Sequence, residues 1–318
     1  MIMTVFGGKM NTKHISLLAK LALLLATIIW GSTFILMEGA VEKIPPSWVL
    51  FIRFTIGWTL LSCIFFKKLK KIDKKYILCG AVIGLFLFCA YFSQSTGIAD
   101  VDTTPGKNAM LTAGYCVLVP FLMWIAAKKR PDIFNILAAV ICIVGIGMVA
   151  LSYEGESLTI VPGDAMTLLG AFFYAAHMVA VWMLARDKDP IVITILQFFF
   201  SSVYCFAASL ITGARFDPTV VTSGTVFTLL YLGLFGTTAA LLLQNIGQKY
   251  VQPSAASIIL SLESVFGVAF SLLFFPAEKK DPKIFIGFAL VMIAVIISET
   301  KLDFLKRKKT AHAEKTQP

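Results

Sequence analysis

Arg53, in the run FIRF (51–54), and Glu263, in SLESVF (261–266), both sit inside long apolar stretches, where an ionisable group is costly and therefore informative. At 1.5 Å per residue, Arg53 lies about 9 Å into its stretch. Its planar guanidinium suits a gate or a clamp for a substrate carboxylate. It equally suits a structural role, paired with Glu38 or a carbonyl and snorkelling outward. Glu263 lies roughly ten residues deep, and an isolated carboxyl there can take up and release a proton, which makes it a coupling candidate. The competing role is a carboxyl held permanently by Ser or backbone groups of a neighbouring helix.

Neutral polar and aromatic residues recur at helical spacing around these two. Asn108, Thr112 and Tyr115 fall at steps of four and three and share a face; Ser254, Ser257, Ser261 and Ser264 form a similar stripe, better suited to close helix packing. Trp30 with Thr33, and Tyr174 with His177, are further pairs sharing a face. His177 is either a satisfied packing residue or a proton relay. Gln94 and Gln244 supply donors and acceptors without the cost of a charge. Tyr91, Trp30, Tyr115 and Tyr174 could wall a cavity for a metabolite with an apolar side chain, or could simply pack. Nothing here has the spacing of a metal or cofactor centre. The six cysteines (Cys63, Cys79, Cys89, Cys116, Cys142, Cys205) lie in or at the edges of apolar runs without a C-x-x-C pair, and read as small core residues. Asp100 and Asp102 read as loop solubilisers.

The elements that must position these groups are transmembrane helices. With 58% hydrophobic and 14% charged residues, the 318-residue chain lacks the polar surface to coat a water-soluble globule. About 20 apolar residues span the hydrocarbon core. That length recurs near 15–37, 48–66, 76–96, 108–127, 132–151, 164–185, 191–212, 225–247, 254–275 and 283–298. The expected fold class is an all-α integral membrane protein of ten transmembrane helices; the long unbroken runs exclude a barrel.

The net charge of +10 is not a nucleic-acid footprint, because the cations cluster in alternate loops rather than on one face. They concentrate in the N-terminal segment, KKLKKIDKK (67–75), KKR (128–130), Arg186 with Lys188, Lys249, and a basic tail, 301–318. The opposite loops carry only Lys43, Lys107, Arg215, Lys279, Lys280 and Lys283. By the positive-inside rule both termini are cytoplasmic, in a cell (plasma) membrane, with KRKK (306–309) as a topology anchor that favours anionic lipids.

Ten spans divide into five and five, and an odd number per half makes the second copy inverted. Slid by 144 residues, LATIIWGSTF (25–34) lies over LGAFFYAAHM (169–178), pairing Trp30 with Tyr174, and FIRF lies over ILQF (195–198), pairing Arg53 with Gln197. At an offset of 150, QSTG (94–97) lies over QNIG (244–247), with Pro105 and Pro253 shortly after. The repeats are placed at 16–151 and 164–300, separated by the acidic, turn-rich segment 152–163. GAVIG (80–84) is a G-x-x-x-G pattern that suits close packing of the third span.

These residues resemble the drug/metabolite transporter superfamily, in its bacterial EamA-type members. The resemblance is carried by Trp30-Gly31, Arg53, TTPGKNAMLT (103–112) leading to YCVLVP (115–120), and SLESVF, over residues 16–300. It implies paired five-helix repeats, cytoplasmic termini, and export or exchange of amino acids or similar small metabolites. One departure is Ser264, where members often carry Pro after the ninth-helix Glu.

The expected function is a secondary transporter exporting small metabolites such as amino acids by alternating access at a midplane site, not an enzyme. The alternative is a membrane-embedded enzyme or flippase acting on lipid-linked substrates. Expected partners are the small-molecule substrate, membrane lipids and protons as coupling ion, with no nucleic acid and no cofactor; the chain acts as a monomer or homodimer.

Overall fold

A computed structural model of the chain describes residues 12–128, 130–154, 161–275 and 282–301. The basic tail at 302–318, the anchor KRKK, residues 155–160 of the inter-repeat segment and Lys279 and Lys280 lie outside the described residues. Among the described residues the structure is helical, without strands: α1 (Thr12–Val41), α2 (Pro46–Ile64), α3 (Lys74–Ile98), α4 (Pro105–Thr112), α5 (Tyr115–Ala127), α6 (Ile133–Glu154), α7 (Pro162–Ala185), α8 (Pro190–Thr212), α9 (Ser223–Tyr231), α10 (Ala240–Tyr250), α11 (Pro253–Phe274) and α12 (Pro282–Thr300). Among the described residues, seven segments are long and apolar enough to cross a membrane, with Pro105–Ala127 and Ser223–Tyr250 each counted as one continuous span. Shorter apolar stretches lie in α6, α11 and α12.

Local chemistry sets the helix ends. Proline occupies the first turn of α2, α4, α7, α8 and α11, where its missing N–H would be an orphan anyway. Side chains of Asp73, Thr104, Asp189 and Thr222 cap α3, α4, α8 and α9 by accepting backbone N–H bonds. Gly213, at φ +68°, ends α8 in the left-handed conformation. Because the cap at Thr104 starts α4 earlier than the hydropathy suggests, Lys107 lies inside a helix and is fully buried. This corrects its assignment to a loop.

Polarity is reversed relative to a water-soluble protein. Large aliphatics face outward, as in the α1 stripe Leu17, Leu21, Leu25 and Ile28, while Arg53, Lys107, Asn108, Asp164, Gln197 and Glu263 are buried. The main contacts pair α3 with α7 and α8, α1 with α10 and α11, α2 with α8, and α6 with α12. Small residues permit these approaches. A Cβ at Gly80 would collide with Leu196 of α8, and one at Gly84 would meet the Gln197 carbonyl at 2.9 Å.

Between α9 and α10 the chain takes a π-helical stretch, Leu232–Ala239 (LGLFGTTA). Such wider turns are rare and frequently fall at functional sites. Thr238 Oγ1 donates to the Gly233 carbonyl five residues back, at 2.7 Å, in keeping with that register.

Candidate binding site

An interior cavity of about 40 Å³ lies among α1, α2, α3, α4, α5, α7, α10 and α11. At roughly 10–15 Å³ of such space per water, it is the size of a few water molecules. Of the residues singled out from sequence, Trp30, Thr33, Arg53, Tyr91, Gln94 and Asn108 line it. So do Tyr115, Tyr174, Gln244 and Glu263. Thr112 and His177 do not.

Arg53 is only 2% exposed. Its Nε donates to Thr237 Oγ1 at 2.9 Å and its Nη1 to Met37 Sδ at 3.3 Å, while its carbon Cζ stands 5.2 Å from the centre of the Tyr91 ring. Among the described residues Nη2 has no hydrogen-bond partner. The pairing with Glu38 or a carbonyl, weighed from sequence, is absent: among the described residues the guanidinium contacts no carboxylate. The partner Thr237 belongs to the π-helical stretch, and so does Gly236, whose carbonyl accepts from Trp30 Nε1 at 2.8 Å. Sequence inspection missed Thr237 and Gly236. The signal available was the paired glycines and threonines of LGLFGTTA inside an apolar run.

On the opposite wall, Gln94 organises a chain of hydrogen bonds. Tyr174 Oη donates to Gln94 Oε1 at 2.8 Å, and Gln94 Nε2 donates to Thr112 Oγ1 at 2.9 Å. Thr112 Oγ1 donates to the Asn108 carbonyl at 2.8 Å, and Asn108 Nδ2 donates to Thr167 Oγ1 at 2.7 Å. Thr112 is therefore a support one layer behind the cavity, not a lining residue. Tyr91 packs edge-on against Tyr174, with ring centres 5.3 Å apart, and Tyr115 stands beside Tyr174 at 6.2 Å. The hydroxyl of Tyr115 adjoins the Glu263 carboxyl.

His177 points away from the cavity. Its Nε2 lies 3.1 Å from Gln197 Oε1 in a fully buried pair between α7 and α8. The helical rotation that turns Tyr174 inward places His177, three residues later, against α8.

A feature unseen in the sequence is the buried ion pair of Lys107 with Asp164, at 2.8 Å, joining the first turns of α4 and α7. Asp100, expected only to solubilise its loop, accepts from the Gly163 backbone N–H at 2.9 Å and ties the same two ends together.

Helices that turn apolar side chains outward and gather an arginine, a carboxylic acid, amides and aromatic rings around an interior cavity define a polytopic membrane protein with a central polar chamber. The EamA-like transporter family model matches residues 17–151 and again 161–300. The chain belongs to that family, within the drug/metabolite transporter superfamily, and is a multi-pass membrane transporter. It is similar to an uncharacterized transporter of Archaeoglobus fulgidus, 31% identical over 293 residues that cover 92% of this chain and 88% of that protein. The uncharacterized transporter YwfM of Bacillus subtilis is 25% identical over 304 residues, covering 92% of this chain and 97% of YwfM. One solved crystal structure shares the fold, with a TM-score of 0.64 at 14% identity, covering 90% of this chain and 98% of that one.

Proposed function

We propose that this chain is a secondary transporter that exports a small metabolite bearing a carboxylate, such as an amino acid, by alternating access through the central cavity. The observation that carries the reading is the Arg53 guanidinium: buried, without a carboxylate partner among the described residues, and with Nη2 unsatisfied beside a cavity. A buried charge of this kind is costly unless something completes it. A substrate carboxylate would do so, and the Glu263 carboxyl on the same cavity would face a substrate ammonium group or a coupling proton. The rings of Trp30, Tyr91 and Tyr174 would hold an apolar side chain.

In this reading the membrane domain has ten spans in two inverted halves with both termini cytoplasmic. Supporting this are the two separate family matches and a contact pattern that mirrors itself: α3 packs on α7 much as α10 packs on α1. Cavity-lining residues also pair across the halves, Trp30 with Tyr174 and Phe34 with Met178 at an offset of 144, and Gln94 with Gln244 at 150. A chamber the size of a few waters suits an occluded state, from which the helices part to admit a metabolite.

The test is counterflow in proteoliposomes with a panel of radiolabelled amino acids. Saturable counterflow that disappears in Arg53→Met supports the reading. Chemical conversion of a lipid-linked substrate without flux would overturn it and favour a membrane enzyme.

A further inference from the structure

A second pocket lies between α7, α8 and α10, toward the end of the bundle that carries the basic loops 66–73 and 186–189. It is small, with about 10 Å³ of space, and two buried amides stand among its apolar walls. Gln248 is 2% exposed, and among the described residues neither atom of its amide has a hydrogen-bond partner; Asn245, 3% exposed, gives its Nδ2 to Thr194 and leaves Oδ1 unsatisfied there. Arg186 and Lys249 also line it, with no Asp or Glu among the lining residues.

The positions have a meaning under the repeat. The same offsets that pair Trp30 with Tyr174 and Gln94 with Gln244 carry Met37 onto Val181, Ser95 onto Asn245 and Ile98 onto Gln248. Met37, Ser95 and Ile98 line the central cavity, on the side away from the basic loops. Their counterparts all line the second pocket. The residues that face the central cavity from one end thus correspond to residues that surround a small pocket at the other.

We propose that the pocket at Asn245 and Gln248 is a second, transient binding site for an anionic group, the collapsed counterpart of the central cavity's far side, which opens toward the basic end. The proposal rests on the alternating-access reading and extends it to residues outside the central cavity. The unsatisfied amides would bond the ligand's polar atoms, and Arg186 and Lys249 would favour its carboxylate. Gln244, one turn before Gln248 on α10, faces the central cavity, so the ligand would move along one helix face from the first site to the second.

The test needs no knowledge of the substrate. Gln248→Cys and Asn245→Cys are made in the full chain, inserted in sealed vesicles of either orientation and exposed to a membrane-impermeant sulfonated maleimide or a trimethylammonium-bearing one. Modification is read by peptide mass, so the native cysteines do not interfere. Ala240→Cys, fully buried on α10 and outside both pockets, is the control. A mouth that opens in a minor population predicts modification at least about tenfold faster than at residue 240, from the basic-loop face only. The anionic reagent should be several times faster than the cationic one at 245 and 248. Rates at both positions equal to the Ala240→Cys rate, or faster reaction with the cationic reagent, overturn the proposal. If one variant fails to fold, the other decides. Amino-acid counterflow by the unmodified chain separates the two readings. Flux with both positions unreactive removes only the second site; directional anionic labelling without flux removes only the amino-acid reading of the substrate.

Discussion

Tyr115 places its hydroxyl beside the carboxyl of Glu263, and each residue is the tenth after the proline that opens its helical span, Pro105 and Pro253. A phenol from the first family-matched region and a carboxyl from the second thus meet at the wall of the central cavity. Glu263→Gln keeps the shape and the hydrogen-bonding capacity and removes the titration. It should abolish accumulation driven by a pH gradient while leaving substrate exchange within a fewfold of wild type. Proteoliposome flux with and without an imposed gradient measures both, and gradient-driven accumulation that persists in the mutant rules out the proton role. Tyr115→Phe should shift the pH dependence without abolishing coupling, because the carboxyl remains.

Arg53 should matter to binding more than to folding. Arg53→Met removes a buried charge that has no carboxylate partner among the described residues, so stability should hold or rise. Substrate affinity should fall by about 2–5 kcal/mol, roughly thirtyfold to several-thousandfold. Arg53→Lys keeps the charge but lacks the fork and should recover only part of that loss. Binding to purified protein, followed by ligand-induced thermal shift, distinguishes these outcomes. A variant that unfolds readily while its binding is unchanged would place Arg53 among structural residues.

Much of this chamber was legible because lipid enforces a simple rule: a polar side chain inside an apolar span must face protein. Arg53, Glu263, Gln94, Gln244 and Asn108 could be picked out on that ground alone, and all five line the cavity. The rule does not say which way a polar residue turns once inside. His177 and Tyr174 are three residues apart, yet the tyrosine faces the cavity and the histidine faces α8. The π-helical stretch was invisible because hydropathy reads the same through a 3.6-residue and a wider turn; its consequence, the contacts from Gly236 and Thr237 to Trp30 and Arg53, was invisible with it. Lys107 was read as a loop residue because the span was started where apolar residues dominate rather than at the Thr104 cap.

His177, so placed, should behave as a structural residue. His177→Leu keeps the volume and breaks the bond to Gln197, a loss of about 0.6–2 kcal/mol for a hydrogen bond between helices in a membrane. Thermal unfolding in detergent should register that drop, and the pH profile of transport should stay where it was. A displaced profile would return His177 to the list of proton carriers.

The Lys107–Asp164 pair offers the sharpest separation of charge from packing. Both groups are buried, at 0% and 1% side-chain exposure, and the carboxylate sits in the first turn of α7, where the helix dipole favours it. Around it, Asn108 bonds Thr167 one turn further along and Asp100 bonds the Gly163 N–H, so the pair is the charged member of a seam joining α4 to α7. Lys107→Met leaves a buried carboxylate without its cation and should lower stability by about 3–5 kcal/mol; Asp164→Leu should cost a similar amount by stranding the ammonium. The double variant strands neither, and a shape-matched apolar pair can be as stable as the ions it replaces. Its stability should therefore lie nearer to wild type than that of either single variant. Unfolding of the four proteins in detergent closes the cycle, and a double variant that loses the sum of the two single losses would show that the charges are not coupled to each other.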